Sequence, residues 1–138
     1  MVSAKPEFRP LFVQGVAQFN ATDFWHAHES WEELWLAAET DLVDFLQGLI
    51  QLTAAYHHVK RGTFRGAVRL FEAALLRMEP FPKRYCGIDR TAAEAAARED
   101  REWAGQMLAR GMTGPPERYP TLVLLPAEES PMPPTDPW

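Results

Sequence analysis

The sequence predicts an all-α fold, a compact bundle of about five helices with an irregular proline-rich C-terminal tail. Two observations carry this. Apolar residues recur at helical spacing in five stretches between Glu7 and Arg110, and those stretches are separated by residues that start or stop helices, among them Thr40, Gly62, Thr63, Pro80, Thr91 and Gly111. From Gly114 onward the character changes, because eight of the twelve prolines lie there. With 138 residues and 46% hydrophobic content, the chain can bury one core.

The first helix is expected from Glu7 to Phe19, with Phe8, Leu11, Phe12, Gly15, Val16 and Phe19 at helical spacing and Pro10 tolerated in the first turn. Residues 1–6 form a loose arm ahead of it. Asn20-Ala21-Thr22-Asp23 offers N-cap chemistry for a second helix running to Ala38. Thr40 and Asp41 open a long third helix to Arg61, apolar around much of its circumference and therefore central. Its greasy face is Leu42, Phe45, Leu46, Leu49, Leu52, Tyr56 and Val59. Its other side carries Gln47, Gln51, Ala54 and His58, with Gly48 and Ala55 beside them. Such a stripe of small residues and amides admits a neighbouring helix closely.

Gly62 ends that helix as a C′ glycine and Thr63 starts the fourth, with Phe64, Ala67, Val68, Phe71, Ala74, Leu75 and Met78 on one face. Pro80-Phe81-Pro82 breaks it near Glu79, and 83–89 reads as a loop. Thr91 and Glu94 make a capping-box pattern for a fifth helix ended by Gly111, anchored by Trp103, Met107 and Leu108, with Glu94, Arg98 and Glu102 as an i, i+4 ladder. Tyr119 to Leu125 is an apolar extended segment that suits a groove on the bundle or a partner chain. Residues 128–138 read as disordered or semi-rigid. The domain division is 1–113 for the bundle and 114–138 for the tail.

The second helix carries the chemistry. Residues 24–35 hold Trp25, Trp31 and Trp35, His26 and His28, and Glu29, Glu32 and Glu33. At about 100° per residue, Phe24, Ala27, Trp31, Leu34, Trp35 and Ala38 share a face, while His26, Ser30 and Glu33 point to water. His28 lies inside the edge of the apolar stripe, with Glu32 one turn on, just outside it beside Trp25. Burying either is costly without a hydrogen-bond partner or counter-charge. The glutamine-bearing side of the third helix is the expected source.

Three motifs come in order: His28-Glu29-x-x-Glu32-x-x-Trp35, then Leu46-Gln47-Gly48-Leu49-Ile50-Gln51, then His57-His58 followed by Gly62 and Gly66-Ala67. Together they resemble the domain of unknown function 309 family, small all-helical bacterial and archaeal proteins. The resemblance covers about residues 8 to 110 and implies a compact helical bundle. It implies no activity. The family pattern falls on His28, Glu29, Glu32, Trp35, Gln47, Gln51 and His58.

Two functional readings follow. In the first the chain is a structural or interaction module, with His28 and Glu32 hydrogen-bonded to Gln47, Gln51 or His58 to set helix register. Self-association would then use an exposed aromatic or the 119–125 segment, giving a homo-oligomer. In the second it is a metal-dependent enzyme, a hydrolase. His28, Glu32 and His58 would hold Zn²⁺, Mn²⁺ or Fe²⁺, and Glu29 or Glu32 would be the base on a bound water. Against that, the motif lacks the second histidine of His-Glu-x-x-His and the paired Glu-x-x-His of di-iron bundles.

A net charge of −5 argues against nucleic acid and anionic membrane as partners. No apolar run is of bilayer length and residues 1–5 show no signal-peptide pattern, so the cytoplasm is the expected location. Cys86, the one cysteine, allows neither an internal disulfide nor a cysteine-based zinc cluster and reads as an inert thiol. Arg65 and Arg69 read as a solvated face.

Overall fold

In the computed structural model, residues 7–125 are described; the expected arm at 1–6 and the segment 128–138 lie outside them. Five helices follow one another: α1 (Phe8–Asn20), α2 (Phe24–Ala37), α3 (Leu42–Arg61), α4 (Phe64–Met78) and α5 (Thr91–Arg110). Each packs on the next, and α3, lying against both α2 and α4, is central as its apolar circumference requires. Phe45, Leu46, Leu49, Leu52, Tyr56 and Val59 are all buried there. The C′ glycines behave as expected, Gly62 at φ 75° and Gly111 at φ 61°, a left-handed conformation that a side chain would disfavour.

The small residues of α3 serve a different helix from the one expected. Gly48 faces Met78 of α4, whose Cγ would stand 2.5 Å from an added Cβ. The close approach is α3 to α4, set by a methionine rather than by the polar residues of α2. Between α1 and α2, Gly15 lies under the indole of Trp31, and Trp31 Nε1 donates to the carbonyl of Phe12 at 3.3 Å. Trp31, fully buried, joins Phe12, Phe19 and Phe24 in an aromatic core that Tyr56 closes from α3.

Three local expectations are corrected and one is borne out. Residues 83–89 are not an open loop: strands β1 (Arg84–Tyr85) and β2 (Ile88–Asp89) form a hairpin turning at Cys86 (φ 55°) and Gly87 (φ 83°). Two positive φ values match the twist of a two-residue hairpin. The 119–125 segment follows the groove reading, adding β3 (Val123–Leu124) beside β2 and burying Leu122. Asn20 holds it in place, donating to the Leu122 carbonyl at 3.0 Å and accepting from its N–H at 2.7 Å. No side-chain cap hydrogen bond forms at Asp23, Asp41 or Thr63. Asp23 instead meets His26, and Thr63 donates to the His58 carbonyl.

The third correction concerns the start of α5. Glu94 makes no capping hydrogen bond and is 2% exposed, and of the expected i, i+4 ladder it keeps Arg98, whose Nη2 stands 3.9 Å from its Oε1. The buried partner of Glu94 is Arg90, 1% exposed, whose Nη1 stands 2.8 Å from Glu94 Oε2. That contact is coulombic rather than a directed hydrogen bond. Lys83 Nζ donates to Glu94 Oε1 at 3.0 Å. Arg90 spends its donors on backbone, reaching the carbonyls of Met78 (2.8 Å), Phe81 (2.6 Å) and Pro82 (2.8 Å). A guanidinium thus satisfies the carbonyls left over where α4 ends. Small residues, Ala93, Ala97 and Ala104, make the buried face of α5, whereas Trp103 and Met107 are half-buried and Leu108 is 39% exposed.

Candidate functional site

At the junction of α2 and α3, Trp25 is 53% exposed, and two imidazoles hold its ring. His28, one turn along α2, lies nearly parallel to it at 5.8 Å and 11°. His57, from the last turns of α3, meets it at 5.5 Å and 44°. These residues line a cleft of about 200 Å³ with Ala54 and His58. Helix geometry supplies the convergence. Trp25 and His28 are neighbours at i, i+3, Ala54 and His58 share a stripe of α3, and the short link between antiparallel helices sets the start of α2 beside the end of α3.

His57 was missed by sequence reasoning, which assigned His58 the inward position. The reason is visible at the α3–α4 turn. His58 Nδ1 lies 2.6 Å from Thr63 Oγ1, and its ring rests on Gly66, where an added Cβ would stand 3.0 Å from Nδ1. Gly62 folds the chain back so that Thr63 and Gly66 draw His58 toward α4. His57 then faces Trp25. The available signal was the unpaired aromatic at position 25, which needs a flat partner one helix away.

The expected polar network does not assemble as hydrogen bonds. His28 Nδ1 is 3.4 Å from Glu32 Oε2 but not aimed at it, so the atom is buried without a hydrogen-bond partner. Among the described residues, no hydrogen bond joins Gln47, Gln51 or His58 to His28 or Glu32. Gln51 Oε1 and Trp35 Nε1 are likewise buried without partners. Glu29 points outward, half-exposed, with His26 Nε2 at 4.0 Å. Ser30, expected in water, is 6% exposed and donates to Gln18 Oε1 at 2.6 Å. Among the described residues, no group of three or more His, Cys, Asp or Glu side chains is arranged to hold a metal ion. The set His28, Glu32 and His58 is therefore not brought together as ligands, because His58 is turned to Thr63.

The surroundings of His57 favour its neutral form. Burial pushes the pKa of His57 below its ordinary value, and Arg61, His58, His28 and Lys60 push the same way. Lys60 is tied down, donating to the Thr22 carbonyl at 2.8 Å and lying 5.9 Å from the centre of the Phe24 ring. Arg61 and Arg65 are exposed and enter no ion pair among the described residues. Burial drives the Cys86 thiol up to about 12, so it stays protonated, with Arg9 opposing the shift.

The chain matches the family described as "Domain of unknown function (DUF309)" over residues 12–70, a span that holds most of α1, all of α2 and α3, the first turns of α4 and the whole Trp25–His57 cleft. It is also 33% identical over 72 residues to an uncharacterized protein of Aquifex aeolicus (strain VF5). That alignment takes in 51% of this chain and 22% of the relative, so the chain spans about a fifth of that protein's length. Among the described residues, no helix is long and apolar enough to cross a membrane.

Proposed function

We propose that this helical bundle is an interaction module and that the face it presents, centred on Trp25 and His57, receives a second copy of the same chain. The observation that carries the reading is the exposure of an indole fixed between two imidazoles. A large apolar ring held at 53% exposure has already lost its freedom to rotate, so covering it gains buried area at little entropic cost.

Charge singles out the partner. Glu29 lies one turn along α2 from Trp25, and Arg61 one turn beyond His57 on α3. Because the two helices run antiparallel, the carboxylate and the guanidinium extend to opposite sides of the stacked rings. A two-fold axis through Trp25 would lay each acidic side against the partner's basic side, the self-complementarity an isologous interface requires. In this reading residues 1–113 are the working unit, 114–138 a tail whose 119–125 segment packs back on that unit, and the location cytoplasmic. An acidic chain is a poor partner for nucleic acid.

The test is the sedimentation of purified protein. Wild type is expected as a concentration-dependent dimer, Trp25→Ala as a monomer with an unchanged fold, and Glu29→Arg and Arg61→Glu each as weakened dimers. Combining both reversals in one chain should restore pairing. Monomeric wild type at about 100 μM would end this reading, since an affinity weaker than that is below what a specific dimer interface provides.

A further inference from the structure

On the far side of the bundle, the start of α3, the last turn of α4 and the 80–85 segment enclose a cleft of about 710 Å³, within the size range of small-molecule sites. Phe81 and Tyr85 make a corner in its wall, with ring centres 5.1 Å apart and planes at 43°. Phe45, fully buried, backs both rings edge-on at 5.3 and 4.7 Å. The corner is fixed by backbone as well: Arg90 holds the carbonyls of Phe81 and Pro82, and Tyr85 sits in β1 paired with Ile88. Leu76, 71% exposed, overhangs the opening.

The charge of the cleft is one-sided. Asp44 is matched by Arg77, whose Nη1 donates to it at 3.1 Å. Asp41, on the same rim, has no ion pair among the described residues. Its field reaches the aromatic corner: the Tyr85 phenol is raised by burial first, then by Cys86 and Asp41. A rigid aromatic corner with an uncompensated carboxylate beside it attracts a cation by ring quadrupole and by charge together.

We infer that this cleft binds an organic monocation with an apolar body, an amine or quaternary ammonium, placing its charge between Asp41 and the Phe81–Tyr85 corner and its apolar part against Leu76. This site is independent of the Trp25 face and stands or falls without it.

The experiment is titration of ¹⁵N-labelled protein with benzyltrimethylammonium, benzyl alcohol and benzoate, followed by amide shifts. The quaternary cation should move the amides of Leu76, Arg77, Phe81 and Tyr85 saturably and leave those of Trp25 and His57 in place. Benzyl alcohol and benzoate should bind about tenfold more weakly or not at all. Asp41→Asn, at an exposed position where the fold is retained, should weaken the cation about fivefold, and Phe81→Ala should do the same where its spectrum shows a folded chain. Absence of saturation by about 20 mM cation, benzoate binding as well as the cation, or an Asp41→Asn variant binding like wild type would each overturn the inference.

Discussion

Two polar clusters occupy this small bundle, and they are finished to different degrees. Around Arg90, charge is compensated within the chain: Arg90, 1% exposed, donates to three backbone carbonyls and lies against the buried Glu94 carboxylate, whose Oε1 accepts from Lys83 and whose Oε2 faces Arg90 without a directed hydrogen bond. Around Trp25, matching stops short. His28 Nδ1 and Gln51 Oε1 lie buried without hydrogen bonds, and an indole remains half in water. A group saturated by its own chain has nothing left to offer a partner, so the first cluster reads as structure. The second, open and incompletely paired, reads as a place where something else completes the contacts.

The largest effect that would sharpen this contrast is Arg90→Ala. It takes from Glu94 its one buried counter-charge, leaving only the exposed Lys83 and Arg98, and frees the carbonyls at the end of α4, and a loss of about 3–5 kcal/mol is expected in urea unfolding. A loss under about 1 kcal/mol would mean the cluster is not structural after all.

Tyr56→Phe comes next. Tyr56 Oη donates to Asp100 Oδ2 at 2.6 Å across the α3–α5 side of the core, and about 1.5–3 kcal/mol should go with that bond. The pH dependence has a definite sign. Burial, then the field of Asp100 and its hydrogen bond, hold the Tyr56 pKa far above the ordinary tyrosine value of 10.0. The unfolded chain therefore ionises first, and the contribution is complete below pH 10 and lost as pH rises beyond it. Tyr56→Phe should flatten the alkaline limb, leaving the smaller parts from Tyr85 and Tyr119, whose burial raises them too.

At the open cluster the expected changes are in association. His57 titrates below its ordinary 6.5 when folded, so it is neutral at pH 7, and stability from it is lost as pH falls below 6.5, where the unfolded chain takes up the proton first. Lowering the pH far enough below 6.5 to protonate His57 also puts like charge on both copies of the face, beside Lys60 and Arg61, and sedimentation should show pairing weakened several-fold. An unchanged dimer once His57 is protonated would separate that imidazole from the interface.

The smallest effect belongs to Gln51→Leu, which exchanges an unmatched buried acceptor for a hydrocarbon of similar size. Thermal unfolding should move by less than about 1 kcal/mol, and upward if it moves. A large loss would reveal a hydrogen bond that Gln51 makes and would blur the contrast between the clusters.

Most of the helical frame was legible in the chain, because its signals are local. Hydrophobic spacing, Gly62, Gly111 and Pro80-Phe81-Pro82 act within a turn or two of where they sit, and α3, α4 and α5 end where they say. The placing of α3 at the centre was legible too, since a helix apolar on most sides has nowhere else to go. Trp25 at the rim beside His28 could likewise be read from the angle between neighbours on one helix.

What tertiary structure alone decided depends on groups far apart in the chain competing for the same partner. Thr63 and Gly66 claim His58, and so His57 comes to face Trp25. Arg90 enters the core because the carbonyls at the end of α4 stand unsatisfied, and it takes Glu94 in with it, overriding a capping pattern that was sound in isolation. Asn20 meets Leu122 across 102 positions, turning an extended apolar segment into the edge strand of a sheet. Periodicity fixes which way a side chain leaves its helix, but only the assembled bundle determines which of several eligible groups reaches a given partner, because that choice minimises unpaired polar atoms over the whole interior.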